Sequence, residues 1–406
     1  MIQAAESISP RALEGVRVLD LGTFIAAPFC GTLLAEFGAD VIKVEQPGDG
    51  DSLRTLGEQA AGYSLFWLQE ARNKRAITCN LRDPAGQQLI RELVAAGYDI
   101  VLENFRPGTL ERWALGYEDL RAVHPGVILA RISGYGQTGP ARDKPGFGRI
   151  AHAFGGLTYL AGFPDRPPAN PGSATLADYA AGLFTAFGVM VAREHRARTD
   201  RGQVIDVALY EAIFRMMDNL AITYSVNGTV RERAGTATPL AAPHNHYPTA
   251  DGKWIAIACT NDRIFGRLAG VMQQLGLGAD PRFSSTHRRA ANRQAIDALV
   301  EDWTREHTLA ELVHLLDEAD VPSSPIYSIA DAVKDPQYQA RGTLLSVEHP
   351  RVGRMQMPAV IPRLSETPGA VTSLGPELGQ DTEAVLGGVL GYTSECLADL
   401  LQRGVI

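Results

Sequence analysis

"VRVLDLGTFIAAPFCGTLLAEFGADVIKVE", residues 16–45, decides how the fold is read. "VRVLDL" (16–21) is a short, mostly apolar run, the pattern of a buried strand. Pro28 suits a first helical position, where its missing N–H would be unpaired anyway. "FCGTLLAEF" (29–37) follows as a short helix, with Gly38 as its stop. "DVIKVE" (40–45) is the next strand. Strand, helix and strand in this order predict a right-handed βαβ crossover and a parallel sheet.

The pattern recurs. "RAITCNL" (75–81) reads as a strand. "DPAGQQLIRELVAAG" (83–97) opens on Asp83 as cap and Pro84 at the first helical position, with Leu89, Ile90, Leu93 and Val94 on one face. "DIVLENF" (99–105) and "GVILARISGYG" (126–136) add two strands. Ligands on such sheets bind beyond the carboxyl ends of the strands. The loops that matter are therefore 22–28, 45–54, 104–108 and 134–148. Residues 151–224 look helical apart from a strand, "GQVIDVAL" (202–209).

Near residue 225 the texture changes to turn formers, which places a domain junction there. The expected division is a large Rossmann-like domain over 1–224, a smaller α+β domain over 225–328, and a C-terminal segment, 329–406, returning to the large domain. "KWIAIAC" (253–259) is a strand, helices follow to about 319, and "VPSSPIYS" (321–328) reads as a linker. The tail offers two extended pieces, "TLLSVEH" and "RMQMPAV", and a last helix near 382–388.

A length of 406 residues suits two domains. The net charge of −8 comes without any basic run, which argues against nucleic acid and anionic membranes as partners. No stretch reads as a membrane span, and residues 1–15 lack the pattern of a signal peptide. Cys30, Cys79, Cys259 and Cys396 are far apart, so reduced, mostly buried thiols in a cytoplasmic protein are expected.

Several chemistries can be set aside. The turn after the first strand has one Gly followed by bulky Phe24 and Ile25, where a dinucleotide fingerprint needs small residues. There is no phosphate loop ending Gly-Lys-Ser/Thr and no Gly-x-Ser-x-Gly. His244 and His246 form the close His pair, in "PHNHY", but no third ligand accompanies them, so no metal is expected. Asp178 stands in the apolar run "ATLADYAAGLFTA" (174–186). Taken alone it is a helix N-cap.

Six blocks change that reading: "LEGVRVLDLGTFIAAPF", "GADVIKVEQPGDGDSLR", "NKRAITCNLRDPAG", "VLENFRPGTLERWALGYEDL", "VILARISGYGQTGP" and "RGQVIDVALYEAI". In this order they resemble the successive blocks of the class III coenzyme A transferases, the CaiB/BaiF family. The resemblance covers nearly the whole chain. It implies a Rossmann-like large domain made from both chain ends, a smaller domain between, and an interlocked homodimer. A hetero-oligomer with a paralogous subunit is a further possibility of the family. It implies acyl-CoA and small carboxylates as substrates, with no tightly bound cofactor.

The resemblance also gives Asp178 a role, as the nucleophile that carries an aspartyl-CoA thioester. It carries CoA contacts onto Ile25 and Ala26, onto Cys79 and Arg82, onto Asn104, Phe105 and Arg106, and onto Arg112. Arg82 and Arg112 are the expected phosphate partners. Taken singly, each Arg is a solvated surface charge. The blocks are most similar to members acting on C4 and C5 dicarboxylates, of the L-malate and citramalate type, with succinyl-CoA as donor; an intramolecular mesaconyl-CoA transferase is an alternative. By loop position, Arg54, Arg75, His244 and His246 are candidates for the acid's second carboxylate. An α-methylacyl-CoA racemase shares the fold. There, however, a His stands in the stretch aligning with "PGFGRI", and this chain has Phe147.

Overall fold

A computed structural model describes residues 11–172 and 175–406. Most of the opening stretch, and Ala174 at the head of the Asp178 run, lie outside the described residues. Among those described, six parallel strands make the main sheet. They are β1 (Arg17–Asp20), β2 (Asp40–Glu45), β3 (Arg75–Thr78), β4 (Ile100–Glu103), β5 (Ile128–Ser133) and β6 (Val204–Ala208). Their order is β3-β2-β1-β4-β5-β6. The chain runs outward from β1 to β3, then returns past β1 and builds the other way. That reversal places the switch point of a doubly wound sheet between β1 and β4.

Both faces of the sheet are covered, and the pleat divides its apolar residues between two cores. Val18, Ile100, Leu102, Ile128 and Ala130 face one core, with α1 (Ala26–Glu36) and the long helix Leu176–Thr199. Leu19, Val101 and Leu129 face the other, where they meet α2 (Pro84–Ala95) through Leu89, Ile90, Leu93 and Val94. The Asp83 carboxylate accepts from the N–H of Ala85, so the expected cap is present. Helix α1 begins at Ala26, two residues before the expected start. Pro28 is then its third residue, still in the turn where no intrahelical N–H bond is required. Gly38 has φ of +101°, which suits a residue without Cβ at the helix stop.

Helix α3 (Thr109–Arg112) adds Leu110 to the second core, and α4 (Gly148–Phe154), α5 (Leu176–Thr199) and α6 (Leu209–Arg215) pack in the first. Contrary to the expectation from sequence, α5 is long and apolar enough to cross a membrane. Its apolarity comes largely from small residues packed into the core, Ala177, Ala180, Ala181 and Ala192 among them.

The chain forms two compact units. The first comprises residues up to Leu157, Gly172–Asn219 and Gly342–Ile406, and it contains the six-stranded sheet. Its C-terminal part has a hairpin, Leu344–His349 with Gly353–Pro358, and two helices, Thr382–Leu390 and Ser394–Gln402. The second of these helices was not expected. Val385, Leu386, Leu400 and Val405 join the second core. The other unit comprises Thr158–Pro171 and Leu220–Arg341. Its antiparallel sheet contains β7 (His244–Pro248), β8 (Trp254–Ala258) and β9 (Ser323–Pro325). The segment expected to be a linker therefore holds an edge strand, with Pro325 opposite Ile255.

Candidate functional site

The loop after β1 is fixed from three directions. Lys74 and Asp20, both fully buried, pair at 2.9 Å, and the Lys74 ammonium also donates to the Pro28 carbonyl at 2.6 Å. Asn104, just past β4, spends its amide on Thr23, accepting from the N–H at 2.8 Å and donating to the carbonyl at 2.7 Å. The Asp51 carboxylate accepts from the N–H of Phe24 at 3.1 Å and pairs with buried Lys43 at 2.9 Å. Burial works against the Asp51 charge, but Lys43 and two backbone N–H groups outweigh it and hold the carboxyl below its usual range. These bonds hold Phe24 at φ +60°, a left-handed conformation that strains a bulky residue.

The loop after β4 is fixed from below. The buried Glu103 carboxylate accepts from the N–H of Phe105 at 2.7 Å and from Arg131 at 2.6 Å. Arg131 also donates to Glu111 of α3. Burial pushes Glu103 up to about 7 despite Arg131.

Two cavities open above this switch point, and Thr23 and Phe105 line both. The first, of about 210 Å³, holds Asp178, Ala26, Asn104 and Arg106, with Ser133, Arg142, Lys144 and Phe147. The second, of about 180 Å³, is lined by Cys79, Arg82, Lys43, Glu45, Asp51 and Trp113, among others. Phe105 packs edge-on to Trp113 at 5.2 Å. A ligand with a long arm can thus run from one cavity to the other across Thr23 and Phe105.

Asp178 is the third residue of α5, not its cap; Thr175 occupies the cap position. The Thr175 hydroxyl donates to the Asp178 carboxylate. Behind it, buried His152 of α4 accepts the Ala177 N–H at Nε2, at 3.0 Å. A Cβ at Gly148 would overlap both the Asp178 carboxylate and the Thr175 hydroxyl, so only glycine lets α4 approach this closely. Burial raises the Asp178 carboxyl above its ordinary value, while the Thr175 hydroxyl and the His152 ring oppose the shift. Ionisation is thus disfavoured here, although the first turn of a helix by itself favours a negative charge. The sequence places no cation near Asp178, yet the fold brings Arg106, Arg142 and Lys144 to its cavity, and none pairs with it among the described residues.

Ile25 caps α1 and packs with Leu53, Trp67 and Ala71, outside the cavity lining. The Cys79 thiol is buried, which pushes it up to about 12. Arg112 is exposed, donates to Thr109 at 3.0 Å and lines neither cavity. Arg54 is held by Glu45 at 2.7 and 2.8 Å and lies over the Trp67 ring at 3.8 Å. Arg75 pairs with Asp40 at the amino end of β3, the sheet edge opposite the cavities. His244 and His246 lie on β7 in the other unit, where they line a cleft of about 420 Å³ with Thr236, Thr238, Ser323 and Ser324. The reading of the sequence missed Thr23, Ser133, Arg142, Lys144, Gly148, His152 and Thr175. Five of these lie in the 134–148 loop, the flagged 22–28 loop, or at a loop's edge, and "TLAD" (175–178) has the spacing of a capping box.

The sequence matches CoA-transferase family III over residues 13–382. It is 48% identical over 397 residues to the succinyl-CoA–L-malate CoA-transferase beta subunit of Chloroflexus aurantiacus, covering 97% of this chain and 98% of that protein. It is 47% identical over 398 residues to the succinyl-CoA–D-citramalate CoA-transferase of the same organism, covering 98% of each. A solved CaiB/BaiF family protein from Brucella suis is 34% identical with a TM-score of 0.82, covering 94% of this chain and 100% of that one.

Proposed function

Because this chain belongs to CoA-transferase family III, we propose that it moves CoA from succinyl-CoA to a small dicarboxylate of the L-malate or citramalate type, with Asp178 as nucleophile. The observation that carries this reading is Asp178 itself, the carboxylate that lines the first of the two cavities at the sheet's switch point. The names of the Chloroflexus relatives support the substrates.

In this reading CoA lies across both cavities, its arm passing Thr23 and Phe105 and its phosphates near Arg82. An Asp178 oxygen attacks the thioester carbonyl of succinyl-CoA, and CoA leaves as thiolate. The resulting aspartyl-succinyl anhydride is attacked by the thiolate at the aspartyl carbonyl, which releases succinate and leaves an aspartyl-CoA thioester. The acceptor carboxylate then displaces the thiolate to form a second anhydride. Attack of the thiolate on the acceptor's carbonyl gives the new acyl-CoA and frees Asp178. Each step exchanges one activated acyl bond for another, so thioester energy is kept. The rigid loops hold the reacting groups in register. Phe147 offers a ring where a racemase needs a second base.

Two further assignments belong to this reading. The chain works as an interlocked dimer, either of itself or with a paralogous subunit, the latter in keeping with a relative named as a beta subunit. Its four free cysteines suit the reducing cytoplasm.

The test is transfer itself. With succinyl-CoA and 14C-labelled L-malate or citramalate, label should enter the acyl-CoA pool with ping-pong kinetics. Asp178→Asn should abolish the transfer while the far-UV circular dichroism stays that of the wild type. Substantial transfer by the variant would refute the mechanism, and α-deuteration of 2-methylacyl-CoA without acyl exchange would refute the activity.

A further inference from the structure

The Asp178 cavity has an uneven charge. Its lining contains one carboxylate and three cations, Arg106, Arg142 and Lys144. In a chain of net charge −8 this concentration is local, not a property of the whole surface. Arg106 and Lys144 have no ion pair among the described residues, and Arg142 has only a loose contact with its exposed neighbour Asp143, at 3.4 Å. Four other cations around the switch point are committed to carboxylates: Lys43 to Asp51, Lys74 to Asp20, Arg54 to Glu45 and Arg131 to Glu103, while Arg82 lines the second cavity only. Arg142 and Lys144 are therefore exposed positive charges at the nucleophile's cavity, with no acid partner among the described residues beyond the loose Asp143 contact of Arg142.

Their setting separates them from Arg106. Arg106 follows β4, beside Phe105, on the side where the two cavities join. Arg142 and Lys144 sit on the loop between β5 and α4, which lines only the first cavity and ends in Phe147 against Phe24, their ring centroids 6.3 Å apart. A carboxyl group attached to Asp178 during transfer would carry its remaining chain into this cavity. About 210 Å³ suits a short acid, not a long acyl chain.

We propose that Arg142 and Lys144 bind the distal carboxylate of a dicarboxylic acid and so select diacids over monoacids. The proposal rests on the transferase reading above. In a ping-pong cycle the donor's acid and the acceptor use the same place in turn, so one clamp reads both. It discriminates against succinyl-CoA's monoacid analogues on the way in and against monocarboxylate acceptors on the way out. Arg142 and Lys144 are exposed, so the discrimination comes from the ion pairs that a diacid gains and a monoacid forgoes. Arg142 offers a planar fork that matches a carboxylate, and Lys144 a single mobile charge.

The experiment compares the wild type with Arg142→Gln, Lys144→Gln and the double variant in full-length protein. Succinate or L-malate serves as diacid acceptor and butyrate as monoacid acceptor; succinyl-CoA and butyryl-CoA serve as the two donors. For the double variant, the diacid-to-monoacid ratio of kcat/KM should fall roughly ten- to hundredfold, mostly through KM, for acceptor and donor alike. Arg142→Lys should restore part of the ratio. A fall of equal size for diacid and monoacid would mean that these cations hold CoA instead, and an unchanged ratio would mean that they touch no substrate; either result overturns the proposal. Failure of the wild type to transfer CoA between any of these acids would instead overturn the transferase reading, which keeps the two failures distinct.

Discussion

Asp178 occupies an environment that disfavours its own charge. It is half-buried, burial raises its carboxyl, and the Thr175 hydroxyl is the closest group supporting the ionised form. A carboxylate is the nucleophile and a carboxylic acid is not, so activity falls as pH drops through the raised value. The acid limb of kcat should therefore lie higher than an ordinary aspartate would place it. Thr175→Val removes a bond to the charged form, so its acid limb should move further up while the plateau at high pH changes less. A pH–rate profile of the two proteins checks this, and a downward move would show that Thr175 does not act through Asp178. The raised carboxyl also fits the chemistry, since a carboxylate poorly solvated by water is a better nucleophile. Little of this was legible in sequence. Asp178 was visible as an isolated acid in an apolar run, but its environment comes from Gly148 and His152, 30 and 26 positions earlier, which only the packing of α4 on α5 brings to it.

The loops after β1 and β4 owe their rigidity to buried charge pairs under them. Arg131 and Glu103 are both almost fully buried, and Glu103 also holds the N–H of Phe105. Arg131→Met leaves Glu103 without its counter-charge and should cost about 3–5 kcal/mol of stability. The loss should be smaller at pH 6 than at pH 8. Glu103 sits near 7 in the folded protein, above its unfolded value, so at lower pH a proton neutralises it where Arg131 no longer does. Urea denaturation at the two pH values, followed by fluorescence, measures this; an equal or larger loss at pH 6 would contradict the role given to Glu103. Elements with strong local signals were legible from sequence. Helix α2 announced itself through Asp83, Pro84 and its apolar face. β9 did not, because Ser323, Ser324 and Pro325 carry no strand propensity and are extended only through pairing with β8. Arg142 and Lys144 were hidden for a similar reason. On the chain they belong to a polar loop, and only the end of β5 aims that loop at Asp178.

At the scale of the whole molecule, the order of six parallel strands decides where chemistry can occur. Reversal of strand order between β1 and β4 opens a crevice, and the two loops flanking it, 22–28 and 104–108, line both cavities. The parallel sheet and the importance of these loops followed from the spacing of strands and helices. The strand order did not, because it depends on which strands pair across the sheet. The central claim is that CoA passes through a covalent bond to Asp178 in this crevice. The most direct measurement is to incubate the protein with succinyl-CoA and no acceptor, quench with hydroxylamine, digest, and map modified acids by mass spectrometry. A hydroxamate is expected at Asp178 and at no other carboxylate, formed only when acyl-CoA is present. An unmodified Asp178 in protein that transfers CoA, or a hydroxamate on a different residue, would contradict it.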